Sequence, residues 1–184
     1  MNDKPRSLGS REVLDARRAQ LREPHVVRLT AFVDKLRAET GGRFPYFDPL
    51  DGGVGAEVLF LFETPGRQAD KSGFVSRNNP DPSANNFFEF NRKARFKRER
   101  TISWNIVPWY IGSDSKNGSV KPAECEKGIR QLERLLKLLP ETAGSSVFWK
   151  DSPTRCNTDC KSAAISTLPG AASESSVCQS QRRQ

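Results

Sequence analysis

The stretch Glu57-Val58-Leu59-Phe60-Leu61-Phe62-Glu63-Thr64-Pro65-Gly66 decides how the rest of the chain is read. Residues 57–62 read as a strand whose apolar run stops at a carboxylate and a Pro-Gly turn. A strand covered on one face alternates polar and apolar residues, whereas one covered on both faces is apolar throughout. The run therefore predicts a buried parallel strand with Glu63 at its carboxyl end. Open α/β sheets place their ligands at that end, so Glu63 is the first candidate for a functional residue.

Working outward, residues 65–82 hold clustered prolines and glycines and no periodicity, which predicts a long loop of the functional or mobile kind. It contains Ser72-Gly73-Phe74-Val75, an aromatic held between a flexible glycine and a β-branched residue. Ser83 is placed to cap a helix running through Asn85, Phe87, Phe88, Phe90, Asn91 and Ala94. Arg92, Lys93, Arg95, Lys97, Arg98 and Arg100 follow, six cations in nine residues interrupted by Glu99. Such a run is either a solvated face or a set of phosphate contacts.

Thr101-Ile102-Ser103-Trp104-Asn105-Ile106-Val107 predicts a second strand. Asn105 is its odd member, because a buried amide needs hydrogen-bond partners or costs about 1–3 kcal/mol. It is either a structural cap at the strand end or a reader of something planar and polar. A glycine-rich polar loop covers 112–119. Pro122 then suits the first turn of a helix whose stripe is Ile129, Leu132, Leu135, Leu136 and Leu139, with Pro140 ending it.

Upstream, Val26, Leu29, Phe32, Val33 and Leu36 recur at helical spacing after Pro24, with Gly41-Gly42 as the stop and His25, a surface residue by expectation, at the start. Residues 44–49 form an aromatic, proline-rich connection, and Asp51-Gly52-Gly53 a turn into the central strand. Residues 1–22 are polar and charged and are expected to be a frayed arm or exposed helix. From Glu141 the composition shifts: the last 44 residues hold nine serines and three of the four cysteines, and only Ser146–Trp149 offers a strand. This segment is expected to be poorly ordered and foreign to the domain, as a shifted reading frame would produce. The organisation expected is an arm (1–22), an α/β domain (23–140) and a tail (141–184). The fold expected is a three-layer α/β domain with a short parallel sheet between helices, incomplete at its C-terminus.

The chain has 184 residues, enough for one domain with its own core. Its formal charge of +8 points to a polyanionic partner, nucleic acid first. No apolar run approaches the roughly 18 residues of a membrane span, and the N-terminus has no signal-peptide core; a soluble, cytoplasmic protein with no membrane partner is expected. Cys125, Cys156, Cys160 and Cys178 form no CxxC pair, and the chain has a single histidine, so neither a metal site nor an iron–sulfur cluster is expected.

The order of these features resembles the uracil-DNA glycosylase superfamily. The segments that carry the likeness are Glu63-Thr64-Pro65-Gly66, then Gly73-Phe74-Val75, then Thr101 to Val107, within about residues 55–140. The nearest likeness is to bacterial branches whose first motif reads Gly-Glu-x-Pro-Gly. The resemblance implies hydrolysis of the N-glycosidic bond of a uracil flipped out of DNA, by a monomer without metal or cofactor. It implies a catalytic Glu63 that holds the attacking water and offsets the cationic sugar. Thr64, Pro65 and Gly66 would shape the pocket wall, Phe74 would stack on the base, and Asn105 would read its edge. Arg92, Lys93, Arg95 and Lys97 would grip DNA phosphates. Against these roles stand bland ones: Glu63 as a helix cap or arginine partner, Phe74 as a buried loop anchor, Asn105 as a strand-end hydrogen bonder. Two departures stand out. Phe62 occupies a position where the related branches have glycine. The family's C-terminal His-Pro-Ser-type motif, whose histidine donates to the leaving base, has no counterpart, and His25 lies far upstream. Weak or absent activity follows, with a non-catalytic nucleic-acid-binding module or a truncated remnant as the rival readings.

Overall fold

The structure, a computed structural model, describes residues 3–112 and 118–139 and the strand backbone at 146–149. Its centre is the predicted strand, β2 (Val58–Phe62). β4 (Thr101–Asn105) pairs with it in parallel on one side, Phe62 opposite Asn105, and β5 (Ser146–Trp149) pairs in parallel on the other. The strand order is β4-β2-β5. Beside this sheet, β1 (Tyr46–Phe47) and β3 (Phe74–Val75) form a two-stranded parallel ladder. β1 lies in the stretch expected to be an irregular connection, and Phe47 stacks on Trp104 of β4 at 4.1 Å.

The apolar run of β2 is explained by cover on both faces. Leu59 and Leu61 join Ile102 and Trp104 in one core with Leu29, Phe32, Val33 and Leu36 of α2 (Val27–Thr40) and Leu132 and Leu135 of α5 (Pro122–Leu136). On the other face Phe60 and Phe62 meet Phe87 of α4 (Pro82–Lys93) edge-on, at 4.9 and 5.1 Å. Helices thus sit on both sides of a parallel sheet, and the domain is α/β with three layers. Gly128 lets α5 close on the end of β4: a Cβ there would lie 2.0 Å from the Ile106 carbonyl oxygen.

Three expectations are corrected. The 65–82 loop contains α3 (Arg67–Ser72), closed by Gly73 at φ +80°. The cap of α4 is Asp81, not Ser83; its carboxylate accepts the Ala84 N–H at 2.9 Å, and Pro82 takes the first helical position, where no N–H is needed. Residues 3–22 are not a frayed arm; the alternative of an exposed helix is met in part. They hold α1 (Arg11–Ala19), whose Arg17 is buried and donates to both oxygens of Asp48, at 2.5 and 2.6 Å. Residues 3–22 therefore share the folded unit with the described residues of 23–139. Residues 141–145 and 150–184, where a disordered and frame-shifted tail was expected, lie outside the described residues; 146–149 is the strand β5.

Candidate functional site at the carboxyl end of the sheet

β2 is where the strand order reverses, since the chain leaves it for β4 on one side and returns to β5 on the other. In open α/β sheets the crevice outside the carboxyl ends at such a reversal is where ligands bind. Glu63 is the first residue past that end of β2. The ladder continues one step around it, with the Ile106 N–H donating to the Phe62 carbonyl (2.8 Å) and the Val107 N–H to the Glu63 carbonyl (3.0 Å). The backbone of Glu63 is thereby fixed beside Asn105. Its half-buried carboxylate forms no hydrogen bond or ion pair among the described residues. Neither bland role, cap nor arginine partner, is realised there.

Asn105 is the second member. It is 2% exposed, and its Nδ2 is buried with no hydrogen-bond partner among the described residues. A buried amide donor left unpaired costs about 1–3 kcal/mol. By strand alternation and register it shares the Phe62 face of the sheet. Of the turn between β2 and α3, Pro65 is buried, Gly66 is exposed, and the Thr64 hydroxyl donates to the Trp109 carbonyl at a long 3.4 Å. Sequence and structure agree in bringing Glu63, the turn and Asn105 to one end of the sheet.

Two other expectations are corrected by the geometry. Phe74 is 1% exposed, its ring tilted against Tyr46 at 6.4 Å and its strand paired to β1. Below it the Asn79 amide donates to the Phe74 carbonyl (2.9 Å) and the Ser72 hydroxyl to Asn79 Oδ1 (2.8 Å). Phe74 is a buried anchor and offers no open face to a base in this conformation. The basic run is displaced as well. The Glu57 N–H donates to the Arg100 carbonyl, and Phe96 packs edge-on against Phe60, so residues 95–100 lie toward the amino end of β2. Six residues at about 3.3 Å each put Arg100, beside Glu57, about 20 Å from Glu63 along the strand. Arg92, Lys93, Arg95 and Lys97 are exposed, and Lys97 leads directly into the turn before β4. Cations that lie nearer Glu63 were missed in the sequence. Arg67 opens α3, and Arg43 pairs with Asp70 (3.3 Å) and faces the Tyr110 ring at 5.0 Å. They carry no local pattern that marks them.

Three members of the basic run are spoken for, Arg92 by Glu89 on its own helix. Arg100 pairs with Glu57 at the surface. Arg98 is buried and donates to Asp48 (2.6 Å), Asp51 (2.8 Å), Asn78 (2.6 Å) and Asp3. Ser76 also donates to Asp48. Burial pushes Asp48 up, but the charges of Arg98 and Arg17, with the Ser76 and Leu50 donors, hold it below the ordinary carboxylate value. At Asp51 burial wins: with the like charge of Asp48 it outweighs Arg98 and lifts the carboxyl to about 7. This network ties α1, the 48–51 turn, the 76–79 turn and the start of β4 together, and its work is structural. His25 belongs to the same end: its carbonyl accepts the Val54 N–H, and its half-buried ring Nε2 lies 2.8 Å from the Pro49 carbonyl oxygen.

A cavity of about 330 Å³ opens between the end of α2 and α3, bordered by Arg37, Arg43, Phe44, Asp70 and Gly73. None of Glu63, Phe74 and Asn105 lines it, and the convergent polar chemistry lies with Glu63 and Asn105 instead. No described helix is long and apolar enough to cross a membrane. Comparison with protein-family models and with curated proteins finds no match to this chain.

Proposed function

We propose that this chain is a hydrolase of the uracil-DNA glycosylase type, acting as a cytoplasmic monomer on uracil-containing DNA. The observation that carries the reading is the buried, unpaired Asn105 Nδ2 one register step from Glu63. An orphaned donor in a folded interior marks either unrelieved strain or a place kept for a ligand. A carboxylate without a partner among the described residues, at the same sheet end, favours the second.

The chemistry asked of the pair is modest. A deoxyuridine leaves the stack and enters the crevice. As its C1′–N1 bond lengthens, positive charge grows on the sugar and negative charge on the departing base. Glu63 stabilises the cationic sugar and takes a proton from the water that attacks C1′. The Asn105 amide donates from Nδ2 to uracil O4 and accepts the N3–H at Oδ1. Cytosine presents the reverse pattern at those two positions, so the same amide rejects it. A flipped base finds no open Phe74 ring, so stacking by Phe74 waits on a movement of the β1–β3 ladder. Turnover is slow, because the sequence has one histidine, His25, and it is held at the opposite end of β2. Loss of one donor to a developing anion costs on the order of 10²–10³ in rate.

The test is base selectivity. Oligonucleotides carrying a single uracil, cytosine or thymine are incubated with excess protein, and abasic sites are revealed by alkaline cleavage. The reading expects product from uracil alone. Excision of cytosine at the same rate as uracil would remove Asn105 from the mechanism.

A further inference from the structure

The face of α4 turned away from the sheet carries a second feature that the carboxyl-end site does not use. Phe87 points inward, onto Phe60 and Phe62. Phe90, three residues on, points outward and is 53% exposed, the more exposed of the two large apolar side chains, with Val27, that stand open among the described residues. At helical spacing, Asn86 and Lys93 share its face, and both are exposed. Arg92 pairs with Glu89 at 2.8 Å, whereas Lys93, Arg95 and Lys97 have no ion-pair partner among the described residues.

The turn that ends the helix adds to this. The Phe96 N–H donates to the Asn91 carbonyl (3.0 Å) and the Arg95 N–H to the Arg92 carbonyl (3.2 Å), a Schellman closure. That closure puts its residue in the left-handed region, and here the residue is arginine, at φ +57°. Glycine is the residue such a position ordinarily takes. An exposed aromatic ring thus shares a helix face with Lys93, and the turn just beyond carries Arg95 and Lys97, the first of them on a backbone that disfavours a side chain.

We propose that the last turn of α4 and the turn after it bind an unpaired nucleic-acid strand, with a base stacked on Phe90 and phosphates on Lys93, Arg95 and Lys97. The combination selects among polyanions. Cations alone would suit any phosphate surface, but a single flat ring beside them matches a strand whose bases are free to stack. A duplex keeps its bases stacked on one another and gains only the charge contacts. Phe90 lies about 4.5 Å along the helix axis beyond Phe87, whose ring meets Phe62, and the surface uses neither Glu63 nor Asn105.

Fluorescence anisotropy of the full chain with labelled dT15, and with the dT15·dA15 duplex, tests this. Neither probe contains uracil, so the outcome is independent of what Glu63 does. Phe90→Ala is expected to weaken dT15 binding about tenfold and to leave duplex binding unchanged. Phe90→Trp keeps a stacking face and is expected to retain wild-type affinity. Replacing Lys93, Arg95 and Lys97 together by Gln is expected to weaken both probes and to flatten the logarithmic salt dependence for dT15 by about 2. Wild-type affinity for dT15 in Phe90→Ala would overturn the proposal. So would a polyglutamate peptide that binds as tightly as dT15 with the same Phe90 dependence, which would assign the surface to an acidic protein.

Discussion

Asn105 is where structure and function pull on one side chain. A buried amide whose Nδ2 has no partner among the described residues is a liability for folding, and its removal relieves it. Asn105→Ala is therefore expected to leave the thermal midpoint unchanged or raised, although most polar-to-alanine changes inside a sheet destabilise. The same variant is expected to lose about 10²-fold in uracil excision, which single-turnover kinetics measure. A fall of more than about 2 kcal/mol in stability would mean that the amide is a structural bonder. Asp51 gives the opposite lesson, a carboxylate that folding raises to about 7 from the ordinary 3.8. Between these values the folded chain keeps a proton that the unfolded chain releases, so stability falls as pH climbs through the window. Asp48, held low by Arg98 and Arg17, works the other way and loses its contribution as pH drops below about 3.8. The thermal midpoint is expected to peak where the two windows meet, near the ordinary carboxylate value of 3.8. Asp51→Asn should flatten the decline toward pH 7 while leaving the acid limb in place. A wild-type midpoint that rises from pH 4 to 7 contradicts this balance.

At the level of elements, α4 shows a sequence serving two ends. Its start is well made, with Asp81 capping and Pro82 in the first turn, and its finish is not, because Arg95 sits where glycine would relax the backbone. Arg95→Gly is expected to raise stability by about 1 kcal/mol in chemical denaturation, while weakening dT15 binding by the loss of one cation. β2 and α5 were legible from the sequence because their patterns are dictated by burial. An unbroken apolar run requires cover on both faces, and the 129–139 stripe requires a core beneath it. The cap of α4 was misplaced by two residues because Asp81 and Ser83 are both good caps by composition, and only the Ala84 N–H distinguishes them. β1 and β3, two residues each, carry no periodicity to read.

Across the whole molecule, the N-terminal residues were misjudged because charge was taken as exposure. Arg17 looks like any surface cation in the sequence, yet it is buried against Asp48, a partner 31 positions away that no local pattern announces. Deleting residues 1–22 leaves Asp48 and Arg98 in the interior without Arg17 and Asp3. That is expected to cost 3 kcal/mol or more, about the penalty of breaking a buried ion pair, visible as a lower urea midpoint. A truncated chain as stable as the full one would restore the loose-arm reading. The same network withdraws Arg98 from the basic run, and the parallel pairing of β4 puts Arg100 beside Glu57, at the amino end of the sheet. Proximity in sequence had placed both beside Glu63. Of the proposed site, the parts fixed by one strand end and its neighbour, Glu63 and Asn105, were legible. The exposure of Phe74 depended on how a short ladder packs, and was not.

The central claim is that Glu63, at the reversal of the strand order, performs the hydrolysis. The most direct measurement is single-turnover cleavage of a uracil-containing oligonucleotide by excess wild-type protein and by excess Glu63→Ala, both shown to be folded by thermal unfolding. The account predicts slow, uracil-specific formation of abasic sites by the wild-type chain and none by the variant. Excision that survives Glu63→Ala, or no excision by the wild-type chain at excess, would contradict it.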